Sequence, residues 1–256
     1  MFLWDKIAFG PVKSRRLGNS LGINVSPTNV KICTFNCIYC ECGWTLERSI
    51  APELFFPAEE IITAIETKLY QCKNSDIQID SITFSGNGEP TLHPDFHQII
   101  EALIMLRNQY FSEINITCLS NSTQLTNKNV LSALKKIENP ILKLDAVTDP
   151  LFQLINKPTN SISVEEIIEH LQQLNGGFIL QTLFFKGEID GQTFNNAAEP
   201  HLSLWLNVVK KLHPKKVMIY SLDRNTPAQT IEKIPMEELL KIVGRLQTAG
   251  VCAEAY

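Results

Sequence analysis

The chain has 256 residues, 44% hydrophobic and 20% charged, with 12 Gly and 13 Pro; this composition describes a globular protein and excludes a collagen, a coiled coil or a disordered tail. The length fits one α/β barrel of roughly 200–250 residues, and a chain of this size buries about three quarters of its unfolded surface without needing disulfide staples. The net charge of −4 argues against a nucleic-acid coat, although residues 1–50 run the other way, with six Lys/Arg against three Asp/Glu.

In chain order, strand-like and helix-like segments alternate. Residues 21–25 form a short apolar run that ends in Ser26-Pro27, a strand entering a loop. Over residues 58–70, Ile61, Ile62, Ile65 and Leu69 recur at helical spacing. Residues 77–84 alternate apolar with polar, slip once at Asp80-Ser81 and stop before Gly86, which predicts a strand. Residues 96–106 place Ile99, Ile100, Leu103 and Leu106 on one helical face.

The same unit then repeats. Strands are predicted at 114–119, 141–146, 178–185 and 217–222, and helices at 127–136, 164–174, 200–212 and 236–248. Ser163 is a ready N-cap for the 164–174 helix, and the apolar stretch at Val251 is a candidate for a short seventh strand. Six strand–helix units in series imply parallel strands, because each helix returns the chain to the same edge. Such units form either an open doubly wound sheet or a barrel. No Pro/Gly/Ser-rich linker divides the chain, so a single domain over residues 1–256 is expected, with residues 1–19 as an N-terminal extension capping the barrel.

No stretch approaches the roughly 18 apolar residues of a membrane span, and Asp5 and Lys6 interrupt the opening apolar residues at once, so no signal-peptide core is expected. Of seven cysteines, Cys33, Cys37, Cys40 and Cys42 fall within ten residues. A secreted disulfide framework would spread them out; the expectation is a reduced, cytoplasmic, metal-binding chain with no membrane partner. Cys72, Cys118 and Cys252 are isolated and expected as buried small hydrophobes.

Cys33-Thr-Phe-Asn-Cys37-Ile-Tyr-Cys40 is a C-x3-C-x2-C spacing in a loop, and thiolates so close together converge on one soft metal centre. Three thiolates satisfy only three irons of a cubane cluster, where most clusters take four. The remaining iron is then open, which a catalyst needs. The competing possibility is zinc held by these three with Cys42, or with a histidine, as fourth ligand.

Polar groups recur at the ends of the predicted strands. Ser85-Gly86-Asn87-Gly88-Glu89-Pro90-Thr91 combines glycines, which let a ligand approach the backbone, with a carboxylate suited to a cationic amine. Ser120-Asn121-Ser122, Lys143-Leu-Asp145-Ala146, Gln181-Thr182 and Tyr220-Ser-Leu-Asp223-Arg224 end the later strands. Parallel α/β barrels build their active sites at this face. Arg15 and Arg16, before the first predicted strand, are candidates to cap the barrel mouth and hold an anionic substrate, or equally to form a surface salt bridge.

The cysteine spacing, with aromatic Tyr39 just before the third cysteine, resembles the radical S-adenosylmethionine (SAM) superfamily. The Gly88-Glu89-Pro90 turn resembles that superfamily's Gly-Gly-Glu-Pro stretch, with Asn87 in place of its first glycine, and Ser120-Asn121 resembles its ribose-binding turn. The resemblance implies a partial (β/α)6 TIM-like barrel of the radical SAM type. It implies a [4Fe–4S] cluster on Cys33, Cys37 and Cys40 and SAM bound near Tyr39, Gly86, Asn87, Gly88, Glu89, Ser120 and Asn121. Reductive cleavage of SAM to a 5′-deoxyadenosyl radical would then lead to hydrogen abstraction from a substrate near Lys143, Asp145, Gln181, Tyr220 and Asp223. A flavodoxin- or ferredoxin-type reductant is implied as partner.

Gly-Pro-Val-x-Ser-Arg-Arg-Leu-Gly18, Ile155-Asn-Lys-Pro158 and Ile219-Tyr-Ser-Leu-Asp-Arg224 extend the similarity to compact members like the wyosine-type tRNA-modifying synthases. That group acts on a tRNA guanine, with a second iron–sulfur cluster and a lysine Schiff base, for which Lys143 and Lys186 are the candidates here. No second three-cysteine set exists in this chain, and its acidic balance disfavours tRNA, whose binding draws on phosphate contacts; the substrate stays unidentified. The alternative of another class is a non-catalytic zinc or iron–sulfur protein, structural or electron-transferring.

Overall fold

The computed structural model describes residues 2–45 and 50–256. Its main sheet has eight strands, in the spatial order β1 (Ala8–Ser14), β2 (Gly18–Ile23), β3 (Ser81–Phe84), β4 (Asn115–Ser120), β5 (Asn139–Lys143), β6 (Ile179–Leu183), β9 (Lys216–Tyr220) and β11 (Ala253–Ala255). β1 pairs antiparallel with β2, and every later neighbour is parallel. Helices α1 (Ala58–Asn74), α2 (Phe96–Tyr110), α3 (Lys128–Lys136), α4 (Asp149–Ile155), α5 (Val164–Gln172), α6 (His201–Leu212) and α7 (Met236–Thr248) supply the crossovers.

Each helix forms for legible reasons. α1 buries Ile61, Ile65, Leu69 and Cys72 along one stripe, with Glu59 and Glu60 in its first turn where the helix dipole favours anions. Each such apolar side chain contributes roughly 1.5–3 kcal/mol when fully buried. α5 starts at Ser163, whose hydroxyl caps the Glu166 amide while the Glu166 carboxylate returns to the Ser163 amide, a complete capping box.

The sheet curls. Alternate residues of β5, β6 and β9 point to opposite faces: Leu142, Leu180, Val217 and Ile219 join the large core under the helices, whereas Ile141, Ile179 and Met218 form a separate inner cluster. Leu17, from the β1–β2 turn, packs into that inner cluster. Its neighbour Arg15 reaches Asp223, just beyond β9. β1 and β9 lie near opposite ends of the strand order, so these contacts bring the two ends of the sheet together around an enclosed space. The architecture is the partial α/β barrel expected from the resemblance.

Several local features differ from the sequence reading. Within residues 1–19 lies β1, an edge strand in a stretch for which no strand is predicted, and its Phe9 ring covers Gly22 where any Cβ would overlap it. α4 lies between β5 and α5, where the periodicity predicts no helix. The predicted 178–185 strand stops at Leu183, and Phe185 opens a second sheet of β7 (Phe185–Ile189), β8 (Gln192–Asn195) and β10 (Ile231–Lys233). Asp190-Gly191, both at positive φ, make the two-residue turn joining β7 and β8; Asp-Gly between strand-like runs is a hairpin signal in its own right. Cys72 and Cys118 are buried as expected, but Cys252 is exposed, in the link from α7 to β11. Among the described residues, no helix is long and apolar enough to cross a membrane.

Candidate active site

A cavity of about 520 Å³ opens at the C-terminal ends of the parallel strands, in the size range of small-molecule and cofactor sites. The cysteine loop forms one wall. Behind β2, Asn24 Oδ1 accepts from the amides of Ser26 (3.2 Å) and Asn87 (3.0 Å), fixing where the loop leaves the strand. Ile32 and the Gly88 turn then exchange backbone bonds: the Ile32 amide donates to the Asn87 carbonyl and the Glu89 amide to the Ile32 carbonyl, both at 2.9 Å. Gly88 has φ +134°, and a Cβ there would overlap the Ile32 carbonyl oxygen. Only glycine permits this approach. On its other side the loop is sewn to the end of α4: the Ile38 amide donates to Ile155 O (3.1 Å) and the Thr159 amide to Thr34 O (2.8 Å).

This scaffold turns Cys33, Cys37, Cys40 and Cys42 toward the cavity. Asn121 Nδ2 donates to Cys33 Sγ (3.6 Å) and Asn156 Nδ2 to Cys37 Sγ (3.5 Å). Burial pushes the Cys33 thiol up to about 12, so it ionises when a metal displaces its proton. The Cys42 thiol, hydrogen-bonded to Cys40, lowers the Cys40 pKa and is itself raised; Cys42 also lies 3.4 Å from the Gly86 carbonyl. Lys31 is buried beside them, donating to Gly43 O (3.0 Å). Burial pulls its pKa down, but the negative charge of Cys40, Cys33 and Cys37 outweighs that and holds it above the usual lysine range. The donor set, three convergent thiols with amide donors and one buried cation, fits an anionic iron–sulfur cluster.

The Gly88 turn and the end of β4 are locked to each other through Glu89. Its carboxylate accepts from the Asn121 amide (2.6 Å), the Thr91 amide (3.1 Å) and the Thr91 hydroxyl (2.5 Å), while burial raises its pKa against those bonds. Gly86, Gly88, Glu89, Ser120 and Asn121 all line the cavity. Asn87 does not: its side chain is buried, donating to Trp4 O and Pro27 O, both at 2.9 Å, and it braces the loops from behind.

Tyr39 lines the cavity, yet its hydroxyl belongs to a buried polar network. It bonds to Asp145 and accepts from Lys143 Nζ (2.6 Å) and Asn156 Nδ2 (3.3 Å); Asn156 also donates to Asp145 (3.0 Å). Asp145 Oδ1 in turn accepts from the Leu183 amide (2.9 Å). Asp145 therefore sits behind the wall and does not reach the cavity, whereas Lys143, Gln181, Tyr220 and Asp223 do. Burial opposes the Lys143 charge, but the Asp145 carboxylate more than restores it, and its pKa is raised. A lysine held protonated is a poor imine-forming nucleophile. Lys186, the other Schiff-base candidate, lies on β7 and pairs with Glu232 at 3.5 Å, outside the cavity. Gln181 Nε2 donates to the Tyr220 hydroxyl (2.7 Å), and the Asp223 carboxylate is engaged by Arg15 at 3.2 Å.

Two residues of this site escaped the sequence reading as functional. Asn156 lay inside the noted Ile155-Asn-Lys-Pro158 motif. Lys31 stands two positions before the first cysteine, and nothing local distinguishes it from the other charges of residues 1–50.

The fold and the tri-cysteine loop define an α/β-barrel metalloprotein of one class: the family model described as the Radical SAM superfamily matches residues 30–195, and the chain belongs to that superfamily. It is therefore an enzyme superfamily member, with a [4Fe–4S] cluster and SAM as the cofactors the family implies. Within it, the chain is 30% identical to a UPF0026 protein of Methanocaldococcus jannaschii, over 93% of this chain and 70% of that one. It is 31% identical, over 93% of its length, to a Brachyspira hyodysenteriae protein named GTPase Obg, of which it spans only 33%. Among solved structures, Streptococcus suis SuiB bound to S-adenosylmethionine superposes with TM-score 0.65 at 16% identity, covering 93% of this chain and 50% of that one. Archaeal TYW1 superposes at 0.52 and 15%, covering 90% and 72%. At these identities the structural likeness establishes the fold.

Proposed function

We propose that this protein cleaves SAM reductively at a [4Fe–4S] cluster held by Cys33, Cys37 and Cys40, and that the resulting radical abstracts hydrogen from a small substrate bound within the barrel. When bound, the cluster and SAM supply the hard chemistry, one electron converting SAM to methionine and a 5′-deoxyadenosyl radical. The observation that carries the reading is that three thiols, the Glu89 carboxylate and the Ser120–Asn121 turn, from three separate loops, face one cavity.

The chain's own groups have definable tasks in this reading. Asn121 and Asn156 donate to the cysteine sulfurs and orient them. Glu89, ringed by donors, is the acceptor for the ammonium of SAM. Lys31 neutralises negative charge beside the thiolates. The Asp145–Tyr39–Lys143–Asn156 network holds the cavity wall rigid, and Ile141, backed by Leu17, Ile179 and Met218, gives the cavity an apolar patch. Seven free cysteines suit a reducing cytoplasm, and a flavodoxin- or ferredoxin-type protein is the proposed electron donor. With an acidic chain, tRNA is not the favoured substrate.

A second reading has a specific observation in its favour: Cys42 lies against Cys40 in the same cavity, so four thiols are at hand for a closed metal site. The two readings part on Cys42→Ala. In an open-site cluster that variant keeps its full iron and sulfide load, and SAM alters the electron paramagnetic resonance signal of the reduced cluster. Loss of metal from Cys42→Ala, with no SAM effect in the wild type, would move the protein to the second reading.

A further inference from the structure

A further wall of the cavity is made by the β1–β2 turn and the end of β9. Ser14 Oγ accepts from the amides of Arg16 (3.3 Å) and Leu17 (3.2 Å), a local turn lock, and Leu17 is anchored in the inner cluster of Ile141, Ile179 and Met218. Arg16 is thereby held over Tyr220, its Cζ 4.5 Å from the ring centroid, and Tyr220 is itself fixed by Gln181. Yet Arg16 Nη1 is buried and, among the described residues, has no hydrogen-bond partner. A guanidinium cannot escape that cost by losing a proton. An unpaired buried donor is costly, and this one belongs to a side chain that lines the cavity, where an anionic ligand group would complete it.

The neighbouring cations are already engaged. Lys31 serves Gly43 and the thiols, Lys143 serves Tyr39, Arg15 pairs with Asp223 at 3.2 Å, and Arg224 pairs with Glu41 at 2.5 Å. With Lys13 and Arg16 they make six basic side chains on the cavity wall against three acidic ones, Glu41, Glu89 and Asp223. The chain as a whole carries −4. A cation-lined cavity in an acidic protein concentrates anions at its mouth.

We infer that Arg16 is the receptor for an anionic oxygen group of the substrate, a carboxylate or a phosphate, gripped through paired N–H···O bonds while Tyr220 fixes the plane of the guanidinium. This deepens the radical SAM reading and rests on it for the chemistry done on the substrate held there.

The test uses the full chain, loaded anaerobically with iron and sulfide and saturated with SAM, titrated calorimetrically with inorganic phosphate and separately with acetate. Wild type binds at least one of the two saturably, and the tighter one names the source. Arg16→Gln weakens that binding roughly tenfold or more, Arg16→Lys keeps part of it, and Lys136→Gln, whose exposed pair with Glu101 lies outside the cavity, changes it by less than about threefold. Without anion, Arg16→Gln melts no lower than wild type, because an uncompensated charge has been removed; a purely structural arginine would give a lower melting point. Equal affinity in wild type and Arg16→Gln, or no anion binding to wild type, overturns the inference; so does anion binding seen in a parallel titration without SAM and abolished by SAM, which assigns Arg16 to SAM itself. Release of 5′-deoxyadenosine by the same wild-type preparation is scored separately. Its absence alongside Arg16-dependent anion binding fails the radical reading alone, and its presence without anion binding fails the Arg16 assignment alone.

Discussion

The two walls of the cavity are built on different principles. On the cysteine side, nearly every polar group is buried and paired: Asn24, Glu89, Asp145 and Asn156 each hold two or more partners, and Gly88 presses against Ile32 with no room for a side chain. On the hairpin side, Arg15–Asp223 is a half-exposed ion pair, Arg224 reaches Glu41 of the cysteine loop through another, and Arg16 Nη1 has no hydrogen-bond partner among the described residues. A buried, fully connected network is rigid and intolerant of change, whereas exposed ion pairs contribute little and adapt. The first wall suits a chemistry common to a family; the second suits discrimination of a particular substrate.

That contrast can be broken at several points. The largest effect is expected from Cys37→Ala, which removes a proposed cluster ligand and should abolish both the iron–sulfur absorbance and 5′-deoxyadenosine formation while leaving the fold measurable by circular dichroism. Next is Gly88→Ala, on the rigid wall. A side chain at φ +134° against the Ile32 carbonyl should cost on the order of 3 kcal/mol, read as a lower denaturation midpoint in urea. If Gly88→Ala is as stable as wild type, the two loops are not locked as described.

Asn156→Ala comes third. It strips a donor from Tyr39, Asp145 and the Cys37 sulfur at once, and should lower stability by about 1–3 kcal/mol. Because N–H···S bonds favour the reduced state of a cluster, it should also shift the cluster potential to more negative values, which redox titration would detect. The smallest effect is expected on the hairpin wall: Arg15→Gln breaks an ion pair whose members are more than half exposed and should change stability by less than about 1 kcal/mol.

The legibility of the molecule from its sequence follows the same division. The parallel strands and their helices announce themselves through apolar periodicity, as in Ile61, Ile65 and Leu69 of α1, because burial on one face leaves a period in the chain. The cysteine loop and the Gly88-Glu89 turn are visible because ligand chemistry restricts the residue types at fixed spacing. What stayed hidden depends on long-range approach. Nothing local shows that Asn87 faces Trp4 across 83 residues, that Asp145 lies behind Tyr39 rather than at the substrate, or that Arg16 reaches Tyr220. The β7–β8 hairpin is a different case, since Asp190-Gly191 carried a turn signal that the apolar run before it masked.

The central claim is that this cavity supports reductive cleavage of SAM, and the most direct measurement is 5′-deoxyadenosine formation by anaerobically reconstituted protein given dithionite and SAM, beside Cys37→Ala. The radical SAM reading requires product and methionine from the wild type and none from the variant. A wild type with full iron and sulfide load that releases no more 5′-deoxyadenosine than Cys37→Ala, and whose reduced cluster does not respond to SAM, would contradict it.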